Sequence, residues 1–125
     1  MRQYNLDPTT FIERLLNCFN NPTTDVEIRR LISALFFSVF NYWMEKTGCS
    51  NADPIDFVKW VDRNLKSAKY RRDIRILRAA RNAVDHYVDT SVKLPYYESP
   101  IEIKRETFER VEDAYRQILN ELKKI

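Results

Sequence analysis

A chain of 125 residues, 44% hydrophobic and 31% charged, is long enough to bury a core as one domain and too apolar to be disordered. Its single glycine, Gly48, and five prolines exclude a β-sandwich or barrel, whose many tight turns need residues tolerant of positive φ. The net charge of +3 is uneven: nine Lys/Arg against two Asp between Lys59 and Arg81 make that stretch +7 and leave −4 elsewhere, a basic stripe suited to a polyanion.

Five helical segments read along the chain. Asp7-Pro8 supplies an N-cap and a proline at the first helical position, opening a helix through Phe11, Leu15, Leu16 and Phe19. Asn20-Asn21-Pro22 ends it. Thr24-Asp25-Val26-Glu27 has capping-box spacing. The second and longest helix follows, with Ile28, Leu31, Ile32, Leu35, Phe36, Val39, Tyr42 and Trp43 mostly three and four apart. Lys46 and Gly48 mark its C-terminus. Asp53-Pro54 repeats the cap-plus-proline device and starts a third helix through Phe57, Val58, Trp60, Val61 and Leu65.

A fourth helix carries Tyr70 to about Val88. Ser67 can cap it, or the third and fourth helices can run on as one bent rod. Asp89 to Pro100, with two prolines, reads as a loop with room for local extended structure. The last helix, about Lys104 to Lys124, shows Phe108, Val111, Ala114, Tyr115, Ile118, Leu119 and Leu122. No repeat or inter-domain linker interrupts the chain. The expectation is an all-α antiparallel bundle of about five helices, a single domain over residues 1–125.

No secretory signal is expected, because the first residues are polar with no apolar stretch before a small-residue cleavage site. The run from Ala34 to Phe40 is far too short to span a bilayer, so no membrane partner is expected. Cys18 and Cys49 read as free thiols in a reducing cytoplasm. One His and two distant Cys fall short of a zinc site, and neither metal nor cofactor is expected.

On a helical wheel with Arg78 at zero and about 100° per residue, Arg71 falls near +20°, Arg75 near +60°, Asn82 near +40° and His86 near +80°. Asp85 and Arg81 fall near −20° and −60°, and the opposite arc holds Ile76, Ala79, Ala80, Ala83, Val84 and Tyr87. One face thus collects four arginines, Asn82, Asp85 and the only histidine, although Ile74 lands among the polar residues and Arg72 among the apolar ones. The plain alternative is a solvated face on which Arg81 and Asp85 pair at i,i+4. Against it, the basic residues nearest His86 are all Arg, whose planar fork suits phosphate. Asn82 is spaced to orient the imidazole, which exchanges a proton near neutral pH.

Arg81-Asn82, three residues, then His86, near the end of a long helix in a small helical bundle, resembles the HEPN domains. Their signature is Arg, four to six residues, then His, often with a polar residue directly after the Arg. The aromatic-rich helix around Ala34-Leu35-Phe36-Phe37-Ser38 and the amphipathic last helix extend the likeness. The resemblance implies a homodimeric RNA-binding protein or metal-independent endoribonuclease, with two motifs meeting in a basic cleft. His86 would then serve acid-base catalysis as a ribose 2′-hydroxyl attacks the adjacent phosphate. Arg81 would stabilise charge on that phosphate, and Asn82 would position the site.

Arg71, Arg75 and Arg78 are assigned to guiding the RNA backbone on charge alone. HEPN toxins paired with a minimal nucleotidyltransferase antitoxin can be adenylylated on a Tyr two residues after the His; here that position is Val88, and Tyr87 directly follows His86.

The second reading is a non-catalytic HEPN-like subunit that docks a partner such as a nucleotidyltransferase. Two Trp, seven Tyr and seven Phe leave aromatics to line an interface. Tyr96 and Tyr97 are better candidates for that role than Phe36 and Phe37, which read as core. A DNA-binding helical protein ranks lower, because no recognition-helix pattern or half-site logic is visible. One geometric limit stands beside the motif: Arg81 and His86 lie about 140° apart around a regular helix. Either the helix end unwinds near His86, or a second subunit completes the site.

Overall fold

A computed structural model describes residues 8–18, 24–86, 91–92, 101–102 and 105–125, with the backbone alone described at residues 86, 91–92 and 101–102. The described chain is all-helical in architecture. It comprises α1 (Pro8–Cys18), α2 (Asp25–Thr47), α3 (Pro54–Asn64), α4 (Ala68–His86) and α5 (Arg105–Leu122). Between α4 and α5, β1 (Ser91–Val92) and β2 (Ile101–Glu102) form a two-residue antiparallel ladder pairing Ser91 with Glu102 and Val92 with Ile101. Asp7, Phe19, the Asn20-Asn21-Pro22 stop, Tyr87, Val88, Tyr96, Tyr97 and most of the expected loop lie outside the described residues.

The longest helix is the hub, touching each of the other four. Its start is fixed as its sequence requires: Thr24 is extended (φ −97°, ψ 151°) and its Oγ1 accepts from the Glu27 backbone N–H at 3.2 Å, relieving one unpaired donor of the first turn. Gly48 ends it in the left-handed region at φ 73°, where a side chain would be strained. Between these caps Ile28, Leu31, Ile32, Leu35, Phe36, Val39, Phe40 and Trp43 are buried. A ladder of aromatic rings runs along the helix and onto α3: Phe36 on Phe40 at 5.8 Å, Phe40 on Trp43 at 5.9 Å and Trp43 on Phe57 at 5.0 Å. Each buried side chain of this size contributes roughly 1.5–3 kcal/mol by leaving water.

The first helix keeps Leu15 and Leu16 against the core but turns Phe11 off the face its sequence suggests. Phe11 is 51% exposed, while Ile12 is completely buried and packs with Leu16. Ser38 of α2 anchors the helix start by donating its Oγ–H to the Pro8 carbonyl at 2.9 Å. At α3 the Asp53 backbone N–H donates to the Asp56 carboxylate at 2.9 Å, and Leu65 is buried just beyond the helix end.

The third and fourth helices do not form one rod. Leu65 turns out to φ −109°, ψ 95°, and Ser67 Oγ accepts from the Lys69 N–H at 3.3 Å, so Ser67 caps a separate helix. α4 then packs on three neighbours, α2, α3 and α5. One carboxylate enters the interior with it. Asp73 is 7% exposed, and among the described residues nothing donates a hydrogen bond to its Oδ2. Burial, and secondarily the charge of Asp113 on α5, push its carboxyl up to about 6 against the pull of Lys69 and Arg72.

Cys18 and Cys49 are free and exposed. No described helix is long and apolar enough to cross a membrane.

Candidate nucleic-acid interface

With three packing partners, α4 buries a wide arc: Asp73, Ile74, Ile76, Leu77, Ala80 and Ala83. Ile74, on the wheel's polar side, is completely buried, and Arg72, on its apolar side, is exposed. Arg81 lies beside Ile74 around the axis, about 20° away, and therefore faces α2 rather than open solvent. The single arginine face expected from the wheel is thus split in two.

Arg81 occupies a prepared seat. Its side chain is 20% exposed. The guanidinium carbon sits 5.0 Å from the centre of the Phe37 ring and 5.9 Å from that of Phe36, within cation–π range. Phe36 is completely buried, but Phe37 is 37% exposed and is not the plain core residue its position suggests. Arg81 Nε lies 3.1 Å from Asp85 Oδ2, an ion pair at the expected i,i+4 spacing. The N–H is not aimed at that oxygen, and among the described residues it completes no hydrogen bond. Asp85 is steadied from α2, whose Ser33 Oγ–H donates to the same Oδ2 at 3.3 Å.

Asn82 has a partner that the spacing did not suggest. Arg81 Nη1 donates to Asn82 Oδ1 at 3.0 Å. An arginine can only donate, so the carbonyl end of the amide must face it and the NH2 end points away. His86 closes α4, and its side chain lies outside the described residues. Because the helix is assigned as far as His86, it does not unwind before that residue. The wide angle between Arg81 and His86 around the axis therefore stands.

The other arginines open toward α3. Arg75, Arg78, Ala79 and Asn82 line a groove of ≈ 350 Å³ whose far wall is Ile55 and Val58. Arg75 is held by a bidentate pair with Asp62 of α3, at 2.9 and 2.7 Å, and also donates to the Arg71 carbonyl at 3.0 Å. The same hydrogen bonding holds the Asp62 carboxyl below its usual range, with Arg71 adding a smaller charge effect. Arg71 is exposed. Arg78 is partly buried, and among the described residues it pairs with no carboxylate. Lys59, Arg63 and Lys66 are exposed on and just after α3, so the basic stretch becomes a basic α3–α4 surface.

Of the six predicted residues, the groove brings together Arg75, Arg78 and Asn82. Asn82 links it to Arg81, while Arg71 lies on the open surface nearby. Sequence reasoning missed Asp62 as the partner of Arg75, Phe37 as the platform of Arg81, and the α3 wall. A second hollow of ≈ 690 Å³ lies between α1, α2 and the end of α4, lined by Phe11, Leu15, Val26, Leu31, Ala34 and Val84 among others. Among the described residues, no three His, Cys, Asp or Glu side chains gather as a metal would require. The chain matches no family model, no curated protein and no solved structure.

Proposed function

We propose that this chain is a HEPN-like RNA-binding domain, and that two copies together form a metal-independent endoribonuclease. The observation that carries the reading is the fixed placement of Arg81, seated on Phe36 and Phe37 and tied through Asn82 to a groove holding Arg78. A guanidinium held this way loses little freedom when it meets a phosphate, which is the condition for stabilising charge that develops during reaction. Arg71 and Arg78 carry the RNA backbone along the α3–α4 surface.

In the proposed reaction the ribose 2′-oxygen attacks the neighbouring phosphorus, and His86 accepts the 2′-hydroxyl proton. Arg81 neutralises the charge gathering on the phosphate oxygens. The bond from phosphorus to the 5′-oxygen breaks, and a protonated His86 from the second copy supplies that oxygen with a proton. The products are a 2′,3′-cyclic phosphate and a 5′-hydroxyl. The angle between Arg81 and His86 on one helix favours a site shared between two copies.

The test is cleavage of single-stranded RNA by the isolated chain with chelator present. Wild type should cut and His86→Ala should not. Equal cutting by both, or intact RNA with both, rejects the nuclease.

The hollow lined by Phe11, Val26 and Val84 favours one further reading, a docking subunit for a partner such as a nucleotidyltransferase. Stoichiometric complex formation with such a partner, with no RNA affinity in the isolated domain, would select it.

A further inference from the structure

We propose that the α3–α4 groove is a subsite for one nucleotide, in which Arg78 takes the phosphate and Ile55, Val58 and Ala79 receive the base. The proposal rests on the RNA-binding reading and says which part of the chain holds a nucleotide beside the reacting phosphate. The groove's ≈ 350 Å³ is at the small end of ligand sites. It joins an apolar wall, Ile55 and Val58, to Ala79 and two arginines across it.

Arg75 is already satisfied by both oxygens of Asp62, so it is a rigid wall and its charge is largely spent. Arg78, by contrast, meets no carboxylate among the described residues and remains the charge available to an incoming anion. Asn82 has its carbonyl turned to Arg81, which leaves its NH2 as the polar group offered to the groove. A charge, an amide donor and an apolar wall match a nucleoside monophosphate, whose base offers the amide a carbonyl oxygen or a ring nitrogen.

The experiment is an NMR titration of the full chain with labelled methyl groups, using uridine monophosphate, adenosine monophosphate and inorganic phosphate as separate probes. Uridine monophosphate should shift the methyl signals of Ile55, Val58 and Ala79 saturably. Adenosine monophosphate should shift them as well, and inorganic phosphate should leave the three methyls in place. Asn82→Ala should bind uridine monophosphate about three- to tenfold more weakly, as one lost hydrogen bond implies. Ala79→Leu, which fills the groove without touching a charge, should abolish the shifts at Ile55 and Val58 while the remaining spectrum reports an intact fold.

Still methyls under uridine monophosphate, or undiminished binding by Ala79→Leu, would overturn the subsite. Undiminished binding of uridine monophosphate by Asn82→Ala would overturn the role given to Asn82. RNA cleavage that depends on His86 with the groove empty would reject the subsite and keep the proposed function. A groove that fills with uridine monophosphate in a chain that neither binds nor cuts RNA would do the reverse.

Discussion

The guanidinium of Arg81 lies 5.0 Å over the ring of Phe37, a residue that is itself 37% exposed. A large aromatic left at the surface loses the benefit of burial unless it does something there, and here it forms one side of the arginine's seat. Phe36 can anchor the same guanidinium from the interior, but at 5.9 Å it is the more distant ring. Phe37→Ala is expected to reduce stability by about 1–2 kcal/mol, since it removes the cation–π pair, an edge contact with Phe36 and the buried part of the ring. Its effect on RNA cleavage should be roughly tenfold, because Arg81 then samples other positions. Denaturant melts and initial cleavage rates on the same preparations check both halves. A rate loss no larger than the stability change predicts would remove Phe37 from the site.

Asp62 engages the charge of Arg75. Their pair is bidentate but partly solvated, with side chains 30% and 38% exposed respectively, so its net contribution to stability is within about 1 kcal/mol. Asp62→Ala is therefore expected to leave the fold nearly as stable while taking the carboxylate off the Arg75 guanidinium and so removing one negative charge from the basic surface. RNA affinity should rise, and the slope of log Kobs against log salt should steepen by about 0.7. Fluorescence anisotropy at several salt concentrations measures both. Affinity unchanged or reduced at every salt would mean that the RNA does not run past Arg75.

The wheel drawn from the sequence contained the sign that Arg81 differs from the other arginines. Ile74, an isoleucine among the polar residues, lies about 20° from Arg81, and it marks an inward-facing part of the polar arc, being completely buried. A wheel assigns each helix one buried arc, whereas a helix in contact with three others buries a wider one. Arg81–Asp85 was legible as an i,i+4 pair and is formed. The Asp62–Arg75 pair joins two helices thirteen residues apart in sequence, and no local spacing announces it. The spacing suggests that Asn82 meets the His86 ring, whereas the partner described for it is Arg81, because a long arginine reaches its chain neighbour across an angle that a shorter side chain would not.

Helix existence and caps were readable for a physical reason: Thr24, Gly48, Asp53 and Ser67 act through hydrogen bonds or φ preferences local to themselves. Register on the core was less so. In α1 both Phe11 and Ile12 fit an apolar stripe, and only packing against α2 selects between them. Ile12→Ala should cost about 2–4 kcal/mol, as buried isoleucines do. Phe11→Ser should change stability by no more than about 0.5 kcal/mol. Equilibrium unfolding of the two variants compares them directly, and the reverse order would mean that α1 docks in the other register.

Asp73 gives the fold a pH dependence opposite to that of an ion-paired carboxylate. Its carboxyl is raised to about 6 by burial and by Asp113, so the folded chain prefers it neutral. The unfolded chain releases the proton near the ordinary value of 3.8. Stability from this residue is therefore complete below pH 3.8 and is lost as the pH rises through about 6. Asp73→Asn keeps the shape and removes the charge, and the Oδ2 that has no partner among the described residues becomes one end of a neutral amide. The variant should be more stable than wild type at pH 7.5 by on the order of 1–2 kcal/mol, with the advantage shrinking toward pH 4. Asp62, held low by Arg75, moves with the opposite sign, contributing above the ordinary carboxylate range and losing that contribution on acidification. Comparing variant with wild type at each pH cancels Asp62 and isolates Asp73. A stability difference independent of pH between 4 and 7.5 would show that Asp73 ionises as freely in the fold as in the unfolded chain.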